Sequence, residues 1–513
     1  MNFASILFDN PAAGDDAVAL VDERESTTFG MLRTRTGQLA AGLRERDIEP
    51  GDRIAILLGN RIEYVEIYLA TAAIGAIVVP LNTRLTAQEH VLLMRDAEPK
   101  MLFVATEGLA TAIQALASVP SLKTVVMLGD AGSGNVAYEA LIAEAHRPAS
   151  PLEAQPNDPA VILYTSGTTS GPKGAILTHG NLLANLRQYQ SFVGIPRGSV
   201  NLQVSPLYHA ANIFCFVHLL AGGRTVFVPK ATPEAILDAI EKHRVTYMFT
   251  VPTVLYAILD SPDRPRRDIS SLQTLQYGGA AIVGPRLEAA LAAFGDRLLH
   301  SFGMTETTSH ASILGKIEHR THPGSVGRPL PGVEMRIVDD ARQPLGPEEV
   351  GEIEVKGDNV TKGYWRNPGA TAEALHEGWL ATGDLGRCDA DGYYYIVGRK
   401  KDLIISGGVN IYPADIESVL AEHPALAEVA VFGAPDPHWG ESVVAAVVPR
   451  EGVAVDPGEL RSFVRQKLGG FKAPKQIRVM AALPKNGAGK VLKRELRAME
   501  NDAATSSGQP ASS

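Results

Sequence analysis

With 513 residues, 57 of them acidic and 48 basic, the chain carries a net charge of -9, and that length accommodates more than one domain and an ample core. Hydrophobic and charged contents of 45% and 20% are those of an ordinary globular protein, and the acidic balance argues against a nucleic-acid binder held by phosphate contacts. Two cysteines far apart, Cys215 and Cys388, exclude a disulfide framework and a Cys-rich zinc site and suit a reducing cytoplasm.

The first residues, 1–9, lack a basic leader, and the longest uncharged apolar run, 67–81, is broken by Gly75 and Pro80 and is too short to cross a bilayer. A cytoplasmic protein without a transmembrane segment is expected. Residues 28–46 read as an amphipathic helix, followed by a Pro50-Gly51 turn and a strand over 53–58. A helix over 62–73 leads to a strand at 77–79, Thr86 and Glu89 form a capping box, and strands follow at 101–104 and 124–127. This alternation predicts an α/β architecture of layered, largely parallel sheets. Gly132-Ser133-Gly134-Asn135-Val136-Ala137 matches a dinucleotide fingerprint, which would make the protein a nicotinamide-dependent oxidoreductase. No βαβ unit is evident around it, and Glu153, where a ribose-binding acid would be sought, lies in the Pro-rich stretch 148–159, so a surface loop is the better reading.

The apolar run 160–163 reads as a short buried strand and opens onto Tyr164-Thr165-Ser166-Gly167-Thr168-Thr169-Ser170-Gly171-Pro172-Lys173-Gly174. Glycines turn backbone N–H groups inward, and hydroxyls and an ammonium add donors, so the loop suits a polyphosphate. It is not a Walker A loop: Pro172 follows Gly171, and no Ser or Thr succeeds Lys173. Beyond it come a helix over 232–243, a strand over 245–250, and a β-rich stretch with strands at 334–338, 351–355, 379–382 and 393–397. After Gly398 a smaller α+β unit is expected: a helix at 413–421, strands at 427–432 and 443–448, a helix from Asp456-Pro457 to Gly469-Gly470, and a strand at 476–480. The tail 501–513, rich in Ser, Ala and Gly, is expected to be disordered.

Four further stretches stand in order after the phosphate loop: Ser301-Phe302-Gly303-Met304-Thr305-Glu306, Thr382-Gly383-Asp384, Gly398-Arg399-Lys400-Lys401-Asp402 and Pro484-Lys485-Asn486-Gly487-Ala488-Gly489-Lys490. Together the five resemble, over roughly residues 28–490, the adenylate-forming superfamily of acyl-CoA synthetases, firefly luciferase and peptide-synthetase adenylation domains, with acyl-CoA ligases the nearest group. The resemblance implies a large AMP-binding domain over 1–398, a hinge at 399–402 centred on Lys401, and a mobile lid domain over 403–500. It implies ATP, Mg2+ and coenzyme A as cofactor and co-substrates. Thr165, Ser166, Gly167, Thr168, Thr169 and Lys173 would meet the phosphates, with Thr165 and Glu306 beside the metal. Gly278, Gly279 and Ala280 would let the backbone approach the purine closely, Phe302 would stack on it, Gly303 and Met304 would also meet the nucleotide, and Thr305 would bond the α-phosphate. Phe302 replaces the usual Tyr, which keeps stacking and loses a phenolic hydrogen bond. Asp384 would take the ribose hydroxyls and Arg399 would add a second ribose or phosphate contact, and Thr305, Glu306 and Lys490 would serve catalysis, Lys490 bridging the substrate carboxylate and the α-phosphate. Gly407, Gly408 and Lys472 would meet coenzyme A.

For the acyl group, Tyr208, His209, Phe214 and Tyr277 are candidate walls. No acid lies in 206–228 and no Arg or Lys in 206–223 or 271–284, which favours an uncharged, fatty or aromatic, carboxylic acid. Loading of a carrier protein's phosphopantetheine arm is an alternative within the superfamily. A non-catalytic binding protein is disfavoured because Lys490, Glu306 and Asp384 are all retained. Chain length of the acid and oligomeric state are not fixed by these residues.

Overall fold

Short apolar strands alternating with helices do assemble into layered, mostly parallel sheets. The computed structural model describes residues 1–129, 135–145, 147–165, 173–485 and 491–506. In a seven-stranded sheet, Arg53–Leu57 lies parallel between Ile77–Pro80 and Met101–Ala105. The sheet continues to Val136–Ala137 on one side, and on the other through Pro159–Thr165 to Lys173–Thr178, the last pair antiparallel. A nine-stranded sheet holds Val200–Gln203, Tyr247–Thr250, Thr274–Gly278 and Leu298–Phe302 as parallel neighbours, with antiparallel strands at both edges. Helix Ile62–Ala73, apolar on nearly every side, is wholly buried. Burial alone would raise the carboxyl of its Glu63, but Arg61 and Arg24 outweigh burial and hold it at about 2.

A five-stranded sheet follows with Val333–Val338, Gly351–Gly357, Trp379–Cys388 and Leu375–His376 in that order and Tyr394–Arg399 paired to Trp379–Cys388. The last sheet sets Val409–Ile411, Ile404–Ser406, Gly440–Pro449 and Leu426–Asp436 side by side, with Gln476–Val479 parallel to Gly440–Pro449. Residue contacts divide the chain into two compact units: Met1–Ala281 with Ala290–Met335 and Glu354–Ala381, and Ile282–Ala289 with Arg336–Ile353 and the residues from Thr382 onward. This grouping differs from a division after residue 398, because the antiparallel register Asp384↔Arg399 ties 382–399 to one hairpin.

Three expectations change. Helix Lys493–Ser506 runs into the stretch where a disordered tail is expected, since Ala503 and Ala504 favour helix; residues 507–513 lie outside the described residues. Of the fingerprint at 132–137, Gly132 to Gly134 also lie outside them. Its Val136–Ala137 forms an edge strand parallel to Thr124–Leu128, whereas a dinucleotide turn leads straight into its helix. Helices His179–Val193 and Ile213–Leu220 and the hairpin Ile404–Ser406/Val409–Ile411 are additional elements. Among the described residues no helix is long and apolar enough to cross a membrane.

One buried amide fixes the frame around the strand Lys173–Thr178. Helix His179–Val193 begins with a capping box: Thr178 accepts from the Asn181 N–H, and the Asn181 side chain accepts from the Thr178 N–H at 2.9 Å. The other end of the Asn181 amide donates to the carbonyls of Asp358 and Val360 at 2.7 and 2.8 Å, docking the chain just before residues 361–365. Replacing Asn181 by Leu should lower stability by roughly 2–3 kcal/mol, since it removes a capping contact and leaves the buried Val360 carbonyl without this donor. A thermal midpoint equal to that of the parent protein would contradict this.

Candidate functional site

The site is built on a strand with partners on both edges. Lys173–Thr178 pairs with Pro159–Thr165 on one side, so Thr165 and Lys173 face each other across the hairpin. Ser166, Gly167, Thr168 and Thr169, between them, lie outside the described residues, as does Lys490. On the other edge, Ile176 N–H donates to Gly363 O at 2.9 Å, Trp365 N–H to Gly174 O at 2.7 Å, and the Thr361 hydroxyl to Ile176 O at 2.6 Å. That pairing places Tyr364 beside Lys173, whose Nζ stands 5.3 Å from the ring centroid and 4.0 Å from the Glu373 carboxylate. The Tyr364 hydroxyl donates to Oε1 of buried Glu306 at 2.8 Å. Burial first, then the Glu306 carboxylate, pushes the Tyr364 phenol up, which keeps it a donor.

Glu306 sits on the short turn Thr305–Thr307 after strand Leu298–Phe302. The chain folds back tightly there: a Cβ on Gly303 would lie 1.8 Å from the Ser309 carbonyl oxygen, so only glycine fits. Buried Asn359 donates to the carbonyls of Thr307 and His310 at 3.1 and 2.7 Å, and Thr308 donates to Asn359 O at 2.6 Å, clamping the turn. Beside it, Gly278 pairs with Ser301 across parallel strands, and a Cβ there would come within 2.9 Å of Ser301 O and Oγ. Gly279 takes φ +85°, a left-handed conformation. Phe302 is only 7% exposed, so little of its ring remains for a purine.

The four proposed acyl walls do not line one pocket. Phe214 stacks on Phe249 at 4.4 Å and meets Tyr189 and His310 edge-on. Phe249 stands in register with Gln276, and the Tyr247 hydroxyl on the same face donates to Gln276 at 2.7 Å. Tyr277, the next residue along, therefore points to the opposite face, where it stacks on His300 at 4.5 Å. Tyr208 and His209 adjoin each other at 4.7 Å. Burial, assisted by the positive field of Arg84, lowers His209 to about 4, so at neutral pH it carries no charge. Arg84 follows the strand Ile77–Pro80, outside both cation-free stretches 206–223 and 271–284.

In the second unit, Asp384 Oδ1 meets Arg399 Nε at 2.9 Å; the acid's side chain is 7% exposed and the arginine's 37%. The two proposed ribose contacts are thus an ion pair that orients the carboxylate. Lys401 is exposed on the turn Lys400–Asp402. Gly407 and Gly408, with φ +58° and +79°, form the two-residue turn of a hairpin, a conformation that itself asks for glycine. A Cβ on Gly407 would also come within 2.8 Å of the Trp439 ring. Lys472 is paired with Asp415 at 2.6 Å.

Residues 7–365 match the family model described as AMP-binding enzyme, and residues 415–490 match the AMP-binding enzyme C-terminal domain. A feruloyl-CoA synthase from Amycolatopsis sp is 38% identical over 92% of this chain and 93% of its own. An indoleacetate–CoA ligase from Aromatoleum aromaticum is 37% identical over 92% of each chain. Among solved structures, the amide bond synthetase McbA from Marinactinospora thermotolerans superposes with a TM-score of 0.89 at 33% identity, covering 97% of this chain and 99% of that one.

The buried histidines near these elements set a pH dependence. Burial lowers His179, His209, His218 and His300 to about 4 and His310 to about 3. The unfolded chain, with histidines near 6.5, takes up protons first, so stability falls as pH drops from about 6.5 towards 4. The thermal midpoint should hold above pH 7 and decline below about 6.5, and His310→Asn should make that decline shallower. A midpoint independent of pH between 7 and 5 would refute this.

Proposed function

The chain belongs to the AMP-binding enzyme family, as an ATP-dependent acid–thiol ligase that activates a carboxylic acid and transfers the acyl group to coenzyme A, and from that premise we propose the roles of its residues and the class of its acid. A carboxylate oxygen attacks the α-phosphorus of ATP, the bond to pyrophosphate breaks, and the coenzyme A sulfur then attacks the acyl carbon as AMP leaves. The protein's work is to position these groups and to stabilise the charge that spreads in the first step.

The observation that carries the reading is the convergence of Lys173 and Glu306 on Tyr364 at the end of the phosphate-loop hairpin. Thr165 and Lys173, with Ser166 to Thr169, would hold the phosphates; Gly278, Gly279 and Ala280 the purine edge; Thr305 the α-phosphate. Glu306 fits Mg2+: its carboxylate is a hard oxygen donor, with Oε1 oriented by Tyr364 and Oε2 without a hydrogen bond among the described residues. With Thr165 beside it, Mg2+ held there would neutralise charge on the phosphate oxygens. To Asp384 and Arg399 we assign the ribose hydroxyls, to Lys490 the bridge between carboxylate and α-phosphate, and to Gly407, Gly408 and Lys472 the coenzyme A contacts. Lys401 would be the pivot at 399–402 about which 403–500 turns between the two half-reactions, since the turn Lys400–Asp402 is the link from Tyr394–Arg399 to Ile404–Ser406.

The acid is an uncharged one, with aryl-substituted acids foremost. His209, uncharged at neutral pH, and Tyr208 offer an aromatic wall, with the exposed Arg84 cation beyond it, and two relatives are named feruloyl-CoA synthase and indoleacetate–CoA ligase. Pyrophosphate release over a carboxylate panel tests this. A hydroxycinnamate or arylacetate should outpace malonate and free amino acids by about a hundred-fold or more, given several kcal/mol for burying an unpaired ion. Malonate or an amino acid as the fastest substrate would overturn it.

Measuring the half-reactions separately tests the assignments to Lys490 and Lys401. Lys490→Ala should slow acyl-AMP formation by about a hundred- to a thousand-fold and spare transfer from supplied acyl-AMP. Lys401→Pro, which fixes φ, should do the reverse. Equal losses in both half-reactions for either variant would refute its assignment.

A further inference from the structure

Resting on the reading of Glu306 as a metal ligand, we propose that Tyr364 is a positioning residue that sets the Glu306 carboxylate for the divalent cation and keeps it apart from Lys173. An ammonium and a buried carboxylate brought to the same corner of a site would ordinarily pair with each other. A direct pair would withdraw both from ATP, the lysine from phosphate and the acid from metal. Here one aromatic side chain takes both charges separately. Its face receives Lys173 Nζ at 5.3 Å from the centroid, within the range of a cation–π contact. Its hydroxyl donates to Glu306 Oε1 at 2.8 Å, an ordinary O–H···O distance.

The direction of the Tyr364 side chain is fixed from its backbone. Its N–H donates to Thr371 Oγ1 at 2.9 Å, Thr371 in turn donates to Asn367 O at 2.9 Å, and the neighbouring Gly363 and Trp365 are bonded to strand Lys173–Thr178. Gly363 has φ +128°, and a Cβ there would lie 2.5 Å from Thr371 Cγ2, so glycine at 363 is what allows this approach. Glu306 is tied to the same segment, its carbonyl accepting from Thr361 N–H at 2.7 Å. Donor and acceptor are therefore both set by backbone bonds of residues 361–365. A hydrogen bond from outside the metal's own ligands commonly governs affinity for the ion.

The test is Mn2+ binding to the full-length protein with α,β-methylene-ATP, followed by electron paramagnetic resonance, for the parent, Tyr364→Phe, Glu306→Gln and the double variant. Tyr364→Phe should raise the Mn2+ Kd by roughly ten- to a hundred-fold, and the double variant should bind no more weakly than Glu306→Gln alone. Unchanged Mn2+ affinity in Tyr364→Phe, or losses that add in the double variant, would overturn the proposal while leaving Glu306 a metal ligand. Full Mn2+ affinity in Glu306→Gln would overturn the metal assignment and the proposal with it. Tyr364→Leu, which also removes the ring face, should weaken metal-free nucleotide binding more than Tyr364→Phe does; equal effects would overturn the separation of Lys173 from Glu306.

Discussion

The corner where Lys173, Tyr364 and Glu306 meet depends on hydrogen bonds made across a long stretch of chain, those joining strand Lys173–Thr178 to residues 361–365. Without them Thr165 and Lys173 would still face each other across their hairpin. Tyr364 would not stand over the lysine, and Glu306, whose carbonyl is bound by Thr361, would lose its tie to the strand. Because both edges of the strand are paired, the geometry of the site is set by β-sheet spacing rather than by side-chain preference. Side chains supply the charges; the ladder supplies their separation.

Close packing does the same for the turns after strands Thr274–Gly278 and Leu298–Phe302. Gly278 and Gly303 are positions where a single added carbon would meet a backbone oxygen, so the strand ends at 278 and 302 approach their neighbours as nearly as backbone allows. Behind them lies a buried polar layer: Tyr189, Tyr247, Gln276, Ser301 and His310 are joined by hydrogen bonds. Such a layer resists distortion while every member is satisfied. It also explains why the face of the sheet carrying Phe214 is filled with rings and amides.

Much of the fold is legible in the sequence because its signals are local. Helices 62–73 and 413–421 follow from apolar spacing and, for the second, Pro413 at its first position. The AMP-binding family is likewise legible, since its motifs are short and ordered. What escapes is whatever depends on distant pairing. Tyr364 meets Glu306 across 58 positions and Asn181 meets Val360 across 179, and nothing in a local window marks either. Gln276 and Tyr277 are adjacent, and alternation along a strand places them on opposite faces; only the register with Tyr247–Thr250 says which face Phe214 shares. Gly407-Gly408 is readable as a hairpin turn in its own right, apart from the coenzyme A contact that the resemblance implies. Arg84 lies more than a hundred residues before His209, beyond any window drawn around the acyl motif.

The two-edged strand also constrains how the chain is made. Thr361 lies 185 residues after its partner Ile176; at 5–20 residues per second a ribosome needs roughly 10–40 s to deliver it. Through that interval the hairpin 159–178 is synthesised and its second edge is bare, a row of unpaired N–H and C=O groups open to any other extended chain. Premature termination anywhere between the two partners would release a fragment with that edge permanently uncovered. Cellular yield of this enzyme is therefore tied to chaperone occupancy of nascent chains and to the frequency of truncation within the 178–361 interval, before any question of catalysis arises.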